Sequence, residues 1–166
     1  GVIDELFNPG LIKNLAIEDS YISVSANNSI AGAFVGVGSV WSCPLRIENC
    51  FSTDTVRVSA YKAGGIIGQA YRIFNITNCY SSAVVEGNQK GAIAGGGVYD
   101  YYEGTPSINL TECYSTTSGL QLVGEWYNRQ KYTSCYATKA TTAEGSDSVK
   151  ELTAEQMTGA AAAENM

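Results

Sequence analysis

Residues 63–82 read Ala-Gly-Gly-Ile-Ile-Gly-Gln-Ala-Tyr-Arg-Ile-Phe-Asn-Ile-Thr-Asn-Cys-Tyr-Ser-Ser, and two motifs within this stretch recur along the chain. The first motif is a polar residue, Cys, an aromatic residue and a small residue, and it occupies residues 49–52, 78–81, 112–115 and 134–137. The second motif places glycines around aliphatic residues, and it occupies residues 31–36, 63–68, 90–95 and 118–124. The two motifs alternate strictly, which indicates a chain built from repeats.

The repeats have constant motifs but variable spacing. Each motif has the length of a β-strand and is flanked by Gly, Asn, Ser or Thr rather than by a helical pattern. Successive cysteine positions, counted from Leu15 where the first copy has no Cys, are separated by 35, 29, 34 and 22 residues. This combination predicts short strands joined by loops of different length. The interval of 22 residues is too short for the four-stranded blade of a propeller.

A strand unit of this size cannot bury its apolar side alone, so consecutive repeats are expected to stack. Parallel stacking at about 4.8 Å per coil places like residues over like. The sequence therefore predicts an all-β fold, a parallel β-helix (β-solenoid) of about five irregular coils. Its stacked cysteine and aromatic positions are Cys50, Cys79, Cys113, Cys135, Phe51, Tyr80, Tyr114 and Tyr136.

Strand alternation along the first motif divides its side chains between two faces. It assigns bulky residues to one face and small residues to the other, namely Ile47, Asn49 and Phe51 against Glu48, Cys50 and Ser52. Asn49 and Asn78 occupy matching positions, which predicts a ladder of side-chain amides along the coils.

We expect the β-solenoid to span residues 1–147, with a helical cap or tail at 148–166. Residues 153–156, Thr-Ala-Glu-Gln, have the capping-box pattern, in which Thr153 and Gln156 bond each other's backbone N–H. A short helix is predicted to begin there, residues 160–164 could extend it, and it would cover the open edge of the last coil.

These repeats resemble a known family. Gly-Gly-Ile-Ile-Gly at 64–68, alternating with Ile-Thr-Asn-Cys-Tyr-Ser-Ser at 76–82, is similar to the GLUG-motif repeats of bacterial surface proteins. That group includes adhesins and non-catalytic regions of some large immunoglobulin A-cleaving metallopeptidases. The resemblance covers about residues 10–159 and implies a right-handed β-helix with a bacterial cell-surface or extracellular location. The chain departs from the pattern at Leu15 and at Leu120-Gln121, toward the ends, where atypical repeats are expected.

Composition limits the function classes. The net charge is −6 with no run of Lys or Arg, so we expect no nucleic-acid partner and no contact with an anionic membrane. Histidine is absent, which removes the commonest general base and the Ser-His and Cys-His nucleophile pairs. We therefore predict no catalytic residues.

The five cysteines are expected to be structural. Neighbouring coils would hold their Cβ atoms about 4.8 Å apart, farther than a disulfide usually allows, so buried thiols are predicted. Cys43 lies outside the repeat motif and is expected to be the most accessible cysteine. No CxxC spacing occurs, and we predict neither a metal nor a cofactor.

An aromatic loop offers a candidate ligand site. Exposed aromatic side chains beside carboxylates can stack on sugar rings or anchor a protein, so we predict a host protein or a glycan as partner. The alternative is that these tyrosines fold onto the flank of the solenoid. The candidate residues are Tyr99, Asp100, Tyr101, Tyr102 and Glu103 in the longest loop, with Trp41 and Trp126 at the equivalent place in other coils.

The preferred hypothesis is a non-catalytic repeat module of a bacterial cell-surface or secreted protein, acting as an adhesin-like binding region or a structural spacer beside neighbouring domains of a longer chain. The alternatives are a β-helical carbohydrate-active enzyme that uses carboxylates such as Asp100, and an accessory region of a surface metallopeptidase.

Overall fold

A computed structural model describes residues 3–6, 10–39, 44–53, 55, 57–71, 73–98, 108–125, 130–140, 149–158 and 162. Within these residues the chain forms 22 short β-strands and one 3₁₀ turn. All strand pairs among them are parallel. The prediction of an all-β fold with parallel strands is confirmed.

The strands fall into five consecutive groups, here named coils I to V. Coil I contains β1 (Ile3–Leu6), β2 (Leu11–Lys13), β3 (Ala16–Ile17), β4 (Tyr21–Ser23) and β5 (Ile30–Gly32). Coil II contains β6 (Val35–Ser39), β7 (Leu45–Glu48), β8 (Phe51–Ser52), β9 (Arg57–Ser59) and β10 (Lys62–Gly64). Coil III contains β11 (Ile67–Tyr71), β12 (Phe74–Thr77), β13 (Tyr80–Ser81), β14 (Val84–Glu86) and β15 (Gln89–Gly91).

The last two coils have three strands each among the described residues. Coil IV contains β16 (Ala94–Val98), β17 (Ile108–Thr111) and β18 (Tyr114–Ser115). Coil V contains β19 (Val123–Glu125), β20 (Gln130–Thr133) and β21 (Tyr136–Ala137). After coil V come β22 (Lys150–Glu151) and the 3₁₀ turn, η1 (Glu155–Met157).

Strands of equal rank in successive coils pair to form five sheets, named A to E in chain order. Sheet A has the order β1-β6-β11-β16-β19, sheet B β2-β7-β12-β17-β20, and sheet C β3-β8-β13-β18-β21-β22. Sheet D has the order β4-β9-β14, and sheet E β5-β10-β15. The chain thus visits the sheets in one repeating order, which is consistent with a β-helix. Among the described residues, only sheets A, B and C run through all five coils.

A left-handed backbone corner joins each strand of sheet B to the next strand of sheet C. In coil II this corner is Asn49, with a φ of 53°. Ile47 before the corner and Cys50 after it are both buried, whereas Phe51 is exposed. The alternation predicted across this segment is therefore wrong, because the corner interrupts the strand and turns Ile47 and Cys50 to the same, inner side. Corner residues at matching positions of the other coils are Asn14, Asn78, Glu112 and Ser134, with φ between 50° and 56°.

Asparagine suits this corner in the first three coils. Asn tolerates the left-handed region better than most residues with a Cβ. The amide of Asn49 also donates to Asn14 Oδ1 at 3.1 Å, and that of Asn78 donates to Asn49 Oδ1 at 2.9 Å. The predicted amide ladder is confirmed, and it ends where Glu112 takes the corner of coil IV.

The glycine motif permits direct contact between two backbones. A Cβ on Gly64, in sheet E, would lie 2.0 Å from the carbonyl oxygen of Ile67 and 2.6 Å from the backbone nitrogen of Gly95, in sheet A. Gly32 meets Gly68, and Gly91 meets Gly124, in the same way. Only glycine fits where sheets E and A approach this closely.

The interior of the described coils is mainly apolar, and it also holds a column of buried serines. Ser52 Oγ donates to the carbonyl oxygen of Gly65 at 2.8 Å, and Ser115 Oγ donates to that of Ser81 at 2.6 Å. These hydroxyls are fully buried but hydrogen-bonded, so they satisfy interior carbonyls without an energetic penalty for their burial. A Cβ on Gly65 would lie 2.1 Å from Ser81 Oγ, which explains the second glycine of the pair.

The C-terminal segment covers part of the last coil, and its residues 155–157 form a 3₁₀ turn rather than an α-helix. The capping box forms as predicted, with Thr153 N donating to Gln156 Oε1 at 2.9 Å and Gln156 N donating to Thr153 Oγ1 at 3.3 Å. The predicted helix is wrong, since η1 is a single 3₁₀ turn. Met157 is its one buried residue, and Thr158 is already extended with a φ of −126°, so no apolar face supports a longer helix. The predicted extension at residues 160–164 falls outside the described residues except for Ala162, which is α-helical.

The strand β22 extends sheet C beyond coil V. Lys150 pairs with Tyr136 and Glu151 with Ala137, while Val149 and Leu152 are buried. Residues 149–152 thus continue the parallel stacking, although they follow the predicted solenoid boundary at residue 147, which stays a prediction.

Replacement of Gly64 by alanine is expected to destabilise the protein by roughly 3 kcal/mol, because the new methyl group would overlap backbone atoms of two strands. Gly119→Ala is the matched control. Gly119 also needs a left-handed backbone, with a φ of 69°, but a Cβ there would meet nothing within 4 Å, so about 1 kcal/mol is expected. Urea unfolding of both variants measures the difference. Equal losses would show that the sheet E to sheet A contact is looser than described.

Glu112→Asn is expected to stabilise the protein by about 0.5 to 1 kcal/mol, because asparagine accepts the left-handed corner and extends the amide ladder beyond Asn78. Glu112→Gln brings the same amide on a longer side chain that has no preference for this backbone region. Thermal unfolding of the two variants separates the effects. A gain as large for Gln as for Asn would contradict the corner argument and point to the lost carboxylate charge.

Candidate functional site

The residues predicted to bind a ligand lie outside the part of the chain that the structure describes. They are Trp41, Tyr99, Asp100, Tyr101, Tyr102, Glu103 and Trp126. Cys43, predicted to be accessible, lies outside it as well. The aromatic ligand site therefore stays a prediction.

The four cysteines of the repeat motif lie on the inner side of the sheet B to sheet C corner. All four are buried, and none of them forms a disulfide. Cys113 Sγ lies 3.3 Å from the carbonyl oxygen of Ile76 in the coil before it and 3.3 Å from that of Thr111 in its own coil. Cys79 has the same arrangement, with Ile47 and Thr77. The small thiol is thus a weak donor to carbonyls at a crowded corner.

Burial raises the pKa of the Cys113 thiol well above its ordinary value, because an ionised sulfur would lose its hydration. Nucleophilic chemistry and metal binding both need the thiolate. Among the residues that the structure describes, no group of three or more His, Cys, Asp or Glu side chains is placed to hold a metal ion. The cysteine column has the environment of packing residues.

The aromatic members of the repeat motif form a column on the outer side of sheet C. The rings of Tyr80 and Tyr114 stack with centroids 4.5 Å apart at an interplanar angle of 28°. Tyr80 also shares a hydrogen bond of 2.9 Å with Thr116 Oγ1, and the Lys150 ammonium lies 6.0 Å from the centroid of the Tyr136 ring. Because stacked rings cover each other's faces, Tyr80 and Tyr114 present mainly ring edges and hydroxyls. This pair is therefore poorly suited to stacking against a sugar.

An open groove, named the notch, lies beside β14 and β15, the strands with which sheets D and E end. It has a volume of about 770 Å³. Its lining includes residues of β14 with Lys90, residues of the turn at 116–120, and Glu155 and Thr158. Tyr80 of the aromatic column stands at its rim. The notch is a concave surface that brings together apolar, hydroxyl and charged side chains.

The notch arises because coil IV has a short connection. Ser81 pairs with Ser115, and Ala94 pairs with Val123, so these residues mark equal positions in coils III and IV. From Ser81 to Ala94 the chain advances 13 residues, but from Ser115 to Val123 it advances only eight. The missing five residues correspond to the strands of sheets D and E. The 22-residue repeat interval was the sequence signal for this deletion, but it did not indicate which sheets would end.

Two threonines hold the turn at residues 116–120 in place through their side-chain hydrogen bonds. Thr117 Oγ1 donates to the carbonyl oxygen of Ala83 at 3.1 Å, and Gly119 N donates to Thr138 Oγ1 at 3.1 Å. Thr138 Oγ1 also donates to the carbonyl oxygen of Thr117. These side-chain bonds anchor the short turn to the coils on either side of it.

No helix among the described residues is long and apolar enough to cross a membrane.

Cys79→Asp is expected to unfold the stack at neutral pH, because it buries a charge without a partner. Cys79→Ser is the control, since it keeps the size and the donor and should cost only a fraction as much. Burial should raise the folded-state pKa of the introduced aspartate above its unfolded value of about 3.9. The variant should therefore be most stable below pH 4 and lose stability as the pH rises. Wild-type stability of Cys79→Asp at pH 7 would refute a buried cysteine column.

The comparison with family models gives one match, to the GLUG motif, at residues 59–86. Ser59 and Glu86 are register partners in neighbouring strands of sheet D, so the matched segment spans one complete coil. No significant match was found among curated proteins or solved structures. The matched segment contains Asn-Cys-Tyr-Ser at residues 78–81, and related motifs recur in other coils with Cys at residues 50, 113 and 135. The chain therefore contains a GLUG repeat at residues 59–86.

Proposed function

We propose that this chain is a non-catalytic repeat module of a bacterial cell-surface or secreted protein, folded as a right-handed parallel β-helix and serving as a structural spacer with an adhesin-like binding surface. The observation that carries the proposal is the unbroken parallel register of sheets A, B and C through five coils. The GLUG motif, matched over one whole coil, supports it.

A stack of this kind has the mechanical properties that a spacer needs. Each coil bonds the coils above and below it, so length is gained by adding coils without redesign of a common core. The glycine contacts and the amide ladder repeat between successive coils. Such an array presents a long side surface on which loops of variable length can carry binding residues, as predicted for the aromatic loop around Tyr101.

The buried polar residues of the described chain support a structural interior. They are Ser29, Ser52, Gln69, Ser81 and Ser115, and no carboxylate is among them. A β-helical glycosidase would need two carboxylates at a separation of about 5 to 9.5 Å across its substrate. The carbohydrate-active alternative, in which Asp100 and Glu103 of the aromatic loop are the candidate carboxylates, stays a prediction.

Deletion of residues 67–93 tests the proposed module. The deletion joins Ile66 to Ala94, which pairs with Ile67 in the intact chain, and so removes one coil in register. The shortened protein is expected to fold cooperatively with reduced stability, because one interface between coils is lost. Circular dichroism and urea unfolding measure both properties.

Deletion of residues 67–92 is the matched control. It differs by one residue but shifts the following strand, which turns inward side chains outward, so it should not fold. Two results would contradict the proposal, namely equal behaviour of the two deletions, or turnover of a polysaccharide by the intact chain that Asp100→Asn abolishes. Antibody labelling of intact cells of the source organism tests the surface location, and labelling that requires cell lysis would contradict it.

A further inference from the structure

At the notch, β14 and β15 each have one edge that is not paired with another strand of the described chain. Sheets D and E end at β14 and β15, whereas sheets A, B and C continue past them. No other strand of the described chain pairs with β14 or β15 on the side of coil IV. Open edges of β-strands are the sites where extended peptides add to a sheet.

The direction of the free backbone groups follows from the bonds on the opposite edge. Ala60 N donates to Glu86 O, and Gln89 N donates to Tyr61 O, so Glu86 and Gln89 face coil II. Backbone groups along a strand point alternately to its two neighbours. The N–H and C=O groups of Val85 and Lys90 therefore point toward coil IV, where the C=O of Lys90 lies beside Gly124. No hydrogen bond joins these groups to another residue that the structure describes.

The side chain of Lys90 breaks a column of small buried residues. In sheet E, Lys90 pairs with Ala63, which pairs with Ala31, and both alanines are buried. Lys90 is exposed and lines the notch. Lys90 thus occupies the position that alanine has in coils I and II. A long charged side chain fits there because coil IV has no strand in sheet E. Beside it, Val84 and Leu120 give the notch an apolar lining.

We propose that the notch binds an extended peptide segment of a partner protein, which adds a strand to the edges of β14 and β15 and places an acidic side chain against Lys90. The peptide supplies the strands that coil IV lacks. Backbone hydrogen bonds to Val85 and Lys90 provide affinity that depends little on sequence, and the lysine provides the preference for a carboxylate. This inference rests on the binding role proposed above and names its ligand class.

A peptide copied from coil III is a direct probe. Residues 82–91 are the connection that coil IV lacks, and the change Lys90→Glu within the peptide sets a carboxylate over the lysine of the protein. Fluorescence anisotropy of this labelled decapeptide, titrated with the intact chain, should show saturable binding. The unchanged peptide carries lysine at that position and should bind at least about tenfold more weakly, through loss of one charged contact of about 1.4 kcal/mol.

Protein variants at Lys90 separate the backbone contribution from the charge. Lys90→Pro removes an N–H that points toward coil IV and no bond to β10, so the fold should persist while the affinity for the Glu peptide falls at least about tenfold. Lys90→Arg keeps both the N–H and the charge and should bind within about threefold of the wild type. Lys90→Glu should reverse the preference and bind the unchanged Lys peptide better.

Thermal unfolding shows whether Lys90→Pro is folded. If it is not folded, the reversed peptide preference of Lys90→Glu tests the proposal instead. The proposal is overturned by an absence of saturation at millimolar protein, or by equal affinities in the wild type, Lys90→Pro and Lys90→Glu. Neither result changes the expected folding of the variant that lacks residues 67–93. Failure of the peptide-binding proposal is therefore distinguishable from failure of the proposed repeat module.

Discussion

Parallel hydrogen bonding between coils holds each residue beside the same position of the coil before it. In sheet B, Ile76 lies between Ile47 and Leu110, and in sheet C, Tyr80 lies between Phe51 and Tyr114. Because the register is constant, a residue type that packs well at one position also packs well against the same residue type in the next coil. The columns of cysteine, serine, asparagine and tyrosine follow from this one constraint.

Two backbone requirements then shape the cross-section of each coil. The left-handed corner turns the chain between sheets B and C and brings Ile47 and Cys50 to the same side. The glycine contact lets sheet E lie directly against sheet A. Neither requirement involves a large side chain, which is why the motifs are so rich in Asn and Gly. Large apolar side chains such as Phe34 and Phe74 fill the interior, while the buried thiols and serine hydroxyls donate to carbonyls next to these backbone contacts.

The same constraint indicates where binding is expected. Where strand pairing continues, the backbone is occupied and the stacked tyrosines cover each other's faces. Where coil IV shortens, the backbone of Val85 and Lys90 is left without a neighbouring strand, and a lysine stands among small residues. One array can thus combine two roles. Complete coils provide structural support, and the shortened coil IV provides a surface for binding.

The sequence by itself determined the strands, their parallel stacking, the repeated cysteine and glycine motifs and the amide ladder, because each depends on residues repeated at matching positions. It also determined the capping box at Thr153, which is local. The tertiary structure alone decided that Ile47 and Cys50 share a side, since the corner at Asn49 breaks an alternation that looks continuous in the sequence. It alone decided that one turn replaces the C-terminal helix and that sheets D and E end at coil III. These features depend on which surfaces are covered by other coils, and that is a property of the assembled stack rather than of any one repeat.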